Sequence, residues 1–175
     1  AEILTRWGIL KKQIIELDWW ESETVDDFNL TFVPAHHTSR RGLLKSSKNS
    51  TLWGGWVIEK SGFKIWFAGD IAFGDGSYYE EIGKRFSPID VSFLPIGSYK
   101  PSRYTRQHIS PRQAVQLHLM VGSKKSIAMH WGTFGMVYER LEDPPADLNR
   151  ARLELKVPVS DFFTLFHGEI CPLFE

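Results

Sequence analysis

Short apolar runs separated by polar segments dominate the chain, and they predict a fold rich in β-strands. These runs are rich in aromatic and β-branched side chains and are too short for most helices. Lys60-Ser61-Gly62 joins two of them as a turn, so residues 53–59 and 63–68 predict a β-hairpin. The runs that predict strands are residues 12–17, 29–33, 53–59, 63–68, 89–96, 125–129 and 162–166.

Helical spacing of apolar positions appears between the later strands. Ser77 is the predicted N-cap of the first of these helices, with Glu80 as its capping-box partner. Ser110 followed by Pro111 predicts the start of another helix, because proline is favoured at the first helical position. The predicted helices cover residues 1–7, 78–86, 111–120 and 147–155. Alternating strands and helices in the second half predict a layered α/β domain, and residues 1–175 form one domain or part of one.

Composition and charge narrow the classes of function. Lysine plus arginine number 21 and aspartate plus glutamate 21, so no global field favours nucleic acid or an anionic membrane. The single Cys171 excludes an intrachain disulfide and a multi-cysteine zinc site. No apolar run approaches the roughly 20 residues that span a bilayer, and the start resembles no signal peptide. We expect a cytoplasmic location, and the missing initiator methionine suggests a chain cut from something longer.

Three polar residues follow apolar runs in the same way. Asp70 follows Phe67-Ala68-Gly69, His37 follows a predicted strand, and His130 follows another. Imidazole and carboxylate are ligands that zinc, iron and manganese accept, so this shared placement predicts a metal site. Each residue also has a local alternative: Asp70 as a turn cap, His37 as a surface histidine and His130 as a buried structural imidazole.

The remaining histidines and loops give weaker indications of function. His108 precedes a predicted helix and is either a substrate-orienting or proton-transfer residue or a solvated loop histidine. His118 lies among apolar helix positions and is predicted to pack or to lie on the surface, and His167 receives no role. A basic loop from Arg40 to Lys48 is predicted to be solvated. Gly-x-Ser-x-Gly is absent, which removes the commonest serine-hydrolase hypothesis.

Seven ordered motifs resemble one family. They are Pro34-Ala35-His36-His37, Leu52-Trp53-Gly54-Gly55-Trp56, Phe67-Ala68-Gly69-Asp70, Glu80-Glu81-Ile82-Gly83-Lys84-Arg85-Phe86, Leu94-Pro95-Ile96-Gly97-Ser98-Tyr99, His130-Trp131-Gly132-Thr133-Phe134 and Asp143-Pro144-Pro145. Together they resemble the metallo-β-lactamase-fold hydrolases, in the branch of N-acyl-phosphatidylethanolamine-hydrolysing phospholipase D and its bacterial relatives. The similarity runs over about residues 18–168.

This resemblance implies an αβ/βα four-layer sandwich with two metal ions, usually zinc, with manganese or iron as alternatives. It implies that His37 is a ligand of the first metal, that Asp70 bridges both metals, and that His130 is a ligand of the second. His108 matches a histidine near the leaving group, so Asp70 and His108 are the predicted catalytic residues. His36 is the alternative to His37 as the ligand.

The family signature His-x-His-x-Asp-His does not occur in these 175 residues. The resemblance therefore implies that this chain supplies roughly the C-terminal half of the fold, that it is inactive alone, and that it leaves an apolar sheet face uncovered. The implied substrate is a phosphodiester such as an N-acyl phosphatidylethanolamine. The alternatives are a lactonase or another phosphoester hydrolase, or a non-catalytic half-domain. Implied partners are the missing half, a peripheral membrane contact and a homo-oligomer.

Overall fold

The computed structural model describes residues 1–40, 48–135 and 137–172. Its strands are β1 (Ser22–Val25), β2 (Phe28–Val33), β3 (Gly55–Lys60), β4 (Phe63–Phe67), β5 (Ile89–Pro95), β6 (Ser123–Met129) and β7 (Phe162–Thr164). Its α-helices are α1 (Glu2–Arg6), α2 (Ser77–Phe86), α3 (Pro111–Met120) and α4 (Asp143–Leu155). Short 3-10 helices lie at Lys11–Gln13 and Ser102–Arg106.

Within the described residues, the seven strands form one sheet whose spatial order is the order of the sequence. The pairs from β1 to β4 are antiparallel, and the pairs from β4 to β7 are parallel. The carboxyl ends of β4, β5 and β6 therefore meet at one edge of the sheet. In open α/β sheets this edge is where functional sites are built.

The core lies between one face of the sheet and the helices α2, α3 and α4. Trp66 of β4 is 1% exposed and packs near Tyr79 of α2, with ring centroids 6.0 Å apart. Leu117 of α3, Leu148 of α4 and Phe162 of β7 belong to the same buried cluster. Burying such a side chain is worth roughly 1.5–3 kcal/mol, so this cluster fixes the sheet and the helices relative to each other.

The opposite face of the sheet carries a row of apolar side chains. The members are successive partners across the sheet: Phe32, Trp56, Phe67, Phe93, Ile127 and Phe163. Phe67 lies near the middle of this row and is 44% exposed. Ile127 is buried and the other four side chains are half-buried, so this row, called here the open face, is exposed mainly at Phe67.

Several predicted elements agree with the structure. β3 and β4 form the predicted antiparallel hairpin. Ser110 caps α3 through a reciprocal box with Gln113, and Pro111 occupies the first turn. The interpretation of Pro34 to Asn49 as a loop falls in part on residues 41–47, which lie outside the described residues. No described helix is long and apolar enough to span a membrane.

Other predicted elements were wrong. Residues 12–17 form no strand, because the chain there makes a 3-10 turn and then an irregular segment. β1 was missed because all four of its residues are exposed and show no alternation. α2 has Gly76 at its N-cap, since Ser77 instead bonds to Asp75. α4 begins at Asp143, four residues earlier than predicted, because its two prolines fit the first turn.

Candidate metal centre

The backbone brings the predicted site residues to the carboxyl edge of the parallel strands. Asp70 follows β4 across Gly69, whose φ of 70° turns the chain in a conformation that glycine adopts easily. His130 follows β6 directly and has a φ of 61°. His108 lies in the segment after β5, and His37 follows β2.

Four side chains converge at this edge. Ligand atoms of His37, Asp70 and His108 all lie within 4.8 Å of one another. His130 Nε2 lies 3.3 Å from Asp70 Oδ1. The His108 ring centroid is 5.8 Å from that of His37 and 5.1 Å from that of His130. The structure therefore brings together every predicted site residue.

One nitrogen of His37 is left free to bind a cation. Its Nδ1 lies 3.0 Å from the carbonyl oxygen of Thr38. Because a carbonyl oxygen only accepts hydrogen bonds, Nδ1 carries the proton and the neutral ring presents a lone pair at Nε2. Nε2 is buried and has no hydrogen-bond partner among the described residues. A hydrogen bond that fixes the tautomer in this way is typical of metal-binding histidines.

His108, predicted as a catalytic residue near the leaving group and not as a metal ligand, lies within the donor cluster. Its Nδ1 is buried and also lacks a hydrogen-bond partner within the described chain. Burial lowers the pKa of His108, and the neighbouring His130 acts in the same direction. The neutral imidazole therefore prevails near neutral pH. The capping box of Ser110 fixes the start of α3 two residues later, so the backbone next to His108 is held by a regular element.

Asp70 and His130 stabilise each other electrostatically. The hydrogen bond with His130 lowers the pKa of Asp70 despite the opposing effect of burial. The same hydrogen bond raises the pKa of His130. The carboxylate is therefore ionised near neutral pH and supplies the negative charge that a cation requires.

His36 faces away from this cluster. Its ring stacks on Tyr78 with centroids 4.4 Å apart, and its Nε2 lies 3.3 Å from Asp75 Oδ1. A Cβ at Gly74 would lie only 2.3 Å from the His36 ring, so the glycine makes room for it. Of the two adjacent histidines, His37 is the one beside Asp70.

A cavity of about 460 Å³ adjoins His130. Its lining includes Trp131, Phe134 and Pro144, which belong to two of the motifs that carry the family resemblance. Asp143, from the same motif, instead accepts a hydrogen bond from Lys100 Nζ at 3.0 Å. The walls are mainly apolar, with a few polar groups that include Arg140, which is the usual character of a small-molecule site.

The donor set fits a divalent metal ion. Three imidazoles and one carboxylate converge, and two imidazole nitrogens are buried without a partner among the described residues. Leaving such nitrogens unsatisfied costs about 1–3 kcal/mol each, a cost that a bound cation removes. Nitrogen and oxygen donors without thiolate suit zinc, manganese or iron.

Comparisons with known proteins identify the family and the fold. The family model described as "Beta-lactamase superfamily domain" matches residues 1–131. N-acyl-phosphatidylethanolamine-hydrolyzing phospholipase D 1 of Caenorhabditis elegans is 35% identical over an alignment of 166 positions, which covers 90% of this chain and 45% of that protein. The chain therefore spans less than half the length of this relative.

Solved structures share the fold. A metallo hydrolase from Ignicoccus hospitalis superposes with a TM-score of 0.67 at 20% identity, over 96% of this chain and 63% of that one. A metallo-beta-lactamase fold protein from Bacillus subtilis gives 0.61 at 14% identity, over 94% and 59%. Likeness at these identities concerns the fold alone. The family model matches well over half of the residues of this chain. The chain therefore belongs to the beta-lactamase superfamily, as a partial metallo-β-lactamase fold.

Proposed function

We propose that the protein containing this chain is a metal-dependent hydrolase that cleaves phosphodiesters of the N-acyl phosphatidylethanolamine type. The observation that carries the proposal is the convergence of His37, Asp70 and His108 within 4.8 Å, with His130 at 3.3 Å from Asp70. The name of the Caenorhabditis elegans relative, a phospholipase D, supports the substrate class.

Zinc is the proposed metal, with manganese or iron as alternatives for the same donors. When bound, two such cations supply a polarised phosphoryl group and a water nucleophile at neutral pH. His37 and His108 would hold a cation through buried nitrogens that have no hydrogen-bond partner in the described part of the chain. Asp70 lies near His37 and His108 and also near His130, which suits the role of bridging two metals that the resemblance implies.

His108 has a second proposed role at the leaving group. Its ring centroid lies 5.8 Å from that of His37 and 5.1 Å from that of His130, and burial lowers the pKa of His108. A neutral imidazole in this position either completes the donor set or moves a proton at the leaving oxygen. Both roles need the ring held where it is.

The cavity beside His130 supports an amphiphilic substrate. Trp131 and Phe134 give it apolar walls that exclude water, and Arg140 provides a cation for a phosphate group. A substrate with an apolar chain and a phosphodiester satisfies both features. A lactonase or another phosphoester hydrolase would use the same donors with different contacts in this cavity, and it remains the second candidate.

We further propose that residues 1–175 are the C-terminal portion of one metallo-β-lactamase-like domain. The chain covers 45% of its phospholipase relative, and the open face exposes Phe67. Four donors are too few for two cations, each of which takes about four ligands. The chain alone is therefore expected to bind metal weakly and to be inactive, whereas a protein that includes the other half is expected to be active.

The test measures metal content and hydrolysis of bis-p-nitrophenyl phosphate by the full-length protein. Asp70→Asn is expected to lower turnover at least about 100-fold with a loss of bound metal. Asp27→Asn is the matched control, because Asp27 is an exposed partner of Lys60 in the β1–β2 turn. Turnover that does not depend on metal, or that survives Asp70→Asn, would refute the proposal.

Comparing substrates separates the two enzyme candidates. Cleavage of an N-acyl phosphatidylethanolamine in preference to a sugar lactone phosphate supports the phospholipase assignment. The reverse preference supports a lactonase, and no turnover of either by a metal-loaded protein supports a non-catalytic domain.

A further inference from the structure

Glu139 joins two loops that carry site residues. It is half-buried in the segment between β6 and α4, on the chain that continues from His130. Its carboxylate accepts hydrogen bonds from three consecutive backbone N–H groups in the segment after β5, those of Ser98, Tyr99 and Lys100. The Tyr99 and Lys100 bonds measure 3.0 and 3.3 Å.

These bonds replace a strand pairing that ends just before them. The parallel ladder between β5 and β6 stops at Pro95 and Met129, with one more bond from Ile96 N to Met129 O. Beyond this point Ser98 adopts a φ of 63°, and the backbone N–H groups of residues 98–100 turn toward the carboxylate. Glu139 therefore links the two segments beyond the end of the β5–β6 ladder. Hydrogen bonds to an ionised acceptor are about twice as strong as neutral ones.

The contact lies directly beside the donor cluster. A Cβ at Gly97 would lie 2.0 Å from the carbonyl oxygen of His130 and 3.4 Å from Glu139 Oε1. Glu139, Ser98 and His130 also line the same cavity. The segment held by Glu139 continues through the 3-10 helix Ser102–Arg106 to His108. The Glu139 carboxylate therefore contacts residues 98–100, which lie beside the backbone of His130 and upstream of His108 in the sequence.

We infer that Glu139 is a positioning residue: it clamps the loop that carries His108 to the loop that follows His130, and so sets the spacing of the donor cluster. The inference rests on the proposed metal-dependent function. Its chemistry is the charge-assisted acceptance of three backbone N–H groups, and Glu139 itself need not touch the metal or the substrate.

Glu139→Gln tests this role in the full-length protein. The amide has nearly the same shape, but it has lost the charge and presents an N–H₂ group to backbone donors. We expect hydrogen–deuterium exchange of residues 97–108 to become faster and zinc affinity to fall about 10–100-fold, the usual effect of losing a group that orients ligands. The visible spectrum of the cobalt-substituted protein is expected to change, while the melting temperature stays near the wild-type value.

Glu142→Gln is the matched control. Glu142 lies in the same loop, carries the same charge and is exposed, with Arg140 as its ion-pair partner. It is expected to leave exchange, zinc affinity and the cobalt spectrum unchanged.

Three results would overturn the inference. Wild-type exchange of residues 97–108 in Glu139→Gln would show that the carboxylate does not clamp them. Faster exchange with unchanged zinc affinity and cobalt spectrum would show that the clamp does not position the donors. A global loss of melting temperature that accounts for the weaker zinc binding would show a role in folding alone. If the wild-type protein binds no metal, the proposed function fails, and the exchange data still decide whether the clamp exists.

Discussion

Asp70 Oδ1 lies 3.3 Å from His130 Nε2, although these residues follow strands that are not neighbours in the sheet. β4 ends before Asp70 and β6 ends at Met129, with β5 between them. The contact therefore spans the end of β5, and the segment that leaves β5 returns His108 to the same place. Three adjacent parallel strands thus contribute one donor each, and His37 approaches from the antiparallel side.

Replacing His37 is expected to reduce zinc binding, whereas replacing the adjacent His36 is expected to reduce stability alone. His37→Ala removes a donor whose Nε2 is buried without a partner among the described residues, so bound zinc should fall at least about tenfold. His36→Ala removes the stacking on Tyr78 and the contact with Asp75, and should cost about 0.5–1.5 kcal/mol of stability while the zinc content stays unchanged. Metal analysis after dialysis and urea unfolding measure the two effects. Equal zinc loss in both variants would contradict this assignment.

Gly97→Ala is expected to damage the site through the backbone. The added Cβ would lie 2.0 Å from the carbonyl oxygen of His130, and backbone cannot move aside as a flexible side chain does. We expect a loss of about 1–3 kcal/mol in the free energy of unfolding, together with weaker zinc binding. Gly135→Ala is the control, because a Cβ there meets nothing within 4 Å. Wild-type unfolding of Gly97→Ala would show that the backbone relaxes at no cost.

Phe67→Ser is expected to have opposite effects in two contexts. In the 175-residue chain, where Phe67 is 44% exposed, the serine should reduce binding of an apolar dye and slow aggregation. In the full-length protein, where we propose that the other half covers the open face, it should cost about 1.5–3 kcal/mol. Leu153→Ser on α4, where the leucine is 82% exposed, should be neutral in both. If Phe67→Ser did not destabilise the full-length protein, the proposal that the other half covers the open face would be contradicted.

The stability of the protein is expected to fall in mild acid partly because of His118. This side chain is 4% exposed on α3 and bonds through Nδ1 to Ser126 Oγ at 2.9 Å. Burial lowers the pKa of His118, with Asp161 opposing the shift. The unfolded chain therefore takes up a proton near pH 6.5 that the folded chain does not, and stability is lost as pH falls below that value.

His118→Asn should flatten this dependence, because the amide keeps a hydrogen bond to Ser126 without titrating. Urea midpoints at about pH 7.5 and about pH 5.5 measure the difference. His167→Asn, at an exposed histidine bonded to Thr133, is expected to leave the wild-type slope. If the urea midpoint of His118→Asn changed with pH as much as that of the wild type, another group would be the cause of the lost stability.

The sequence predicted those parts of the site that sit at the ends of apolar strands. Asp70, His37 and His130 were identified because each follows a run with strand composition, and the edge of a parallel sheet brings such positions together. His108 is separated from β5 by an irregular segment, so no periodic pattern indicated its approach to Asp70. Its position depends on contacts far along the chain.

Glu139 shows the same limitation more clearly. Its partners at residues 98–100 are about forty positions away in sequence, and a glutamate in an irregular loop carries no local signal. α4 and β1 were misjudged for local reasons instead. Two prolines were interpreted as preceding a helix that contains them, and an edge strand with four exposed residues lacks the alternation of a half-buried one.

Because each strand lies beside its predecessor, the sheet can be assembled in the order of the sequence. No strand has to wait for a later one to be inserted between itself and its neighbour, so a growing chain can add strands one at a time. The segments that carry His37, Asp70 and His108 would then be added in that order, before β6. His130 and the proposed clamp at Glu139 come last, so the donor cluster would reach its final spacing only when the segment after β6 is in place.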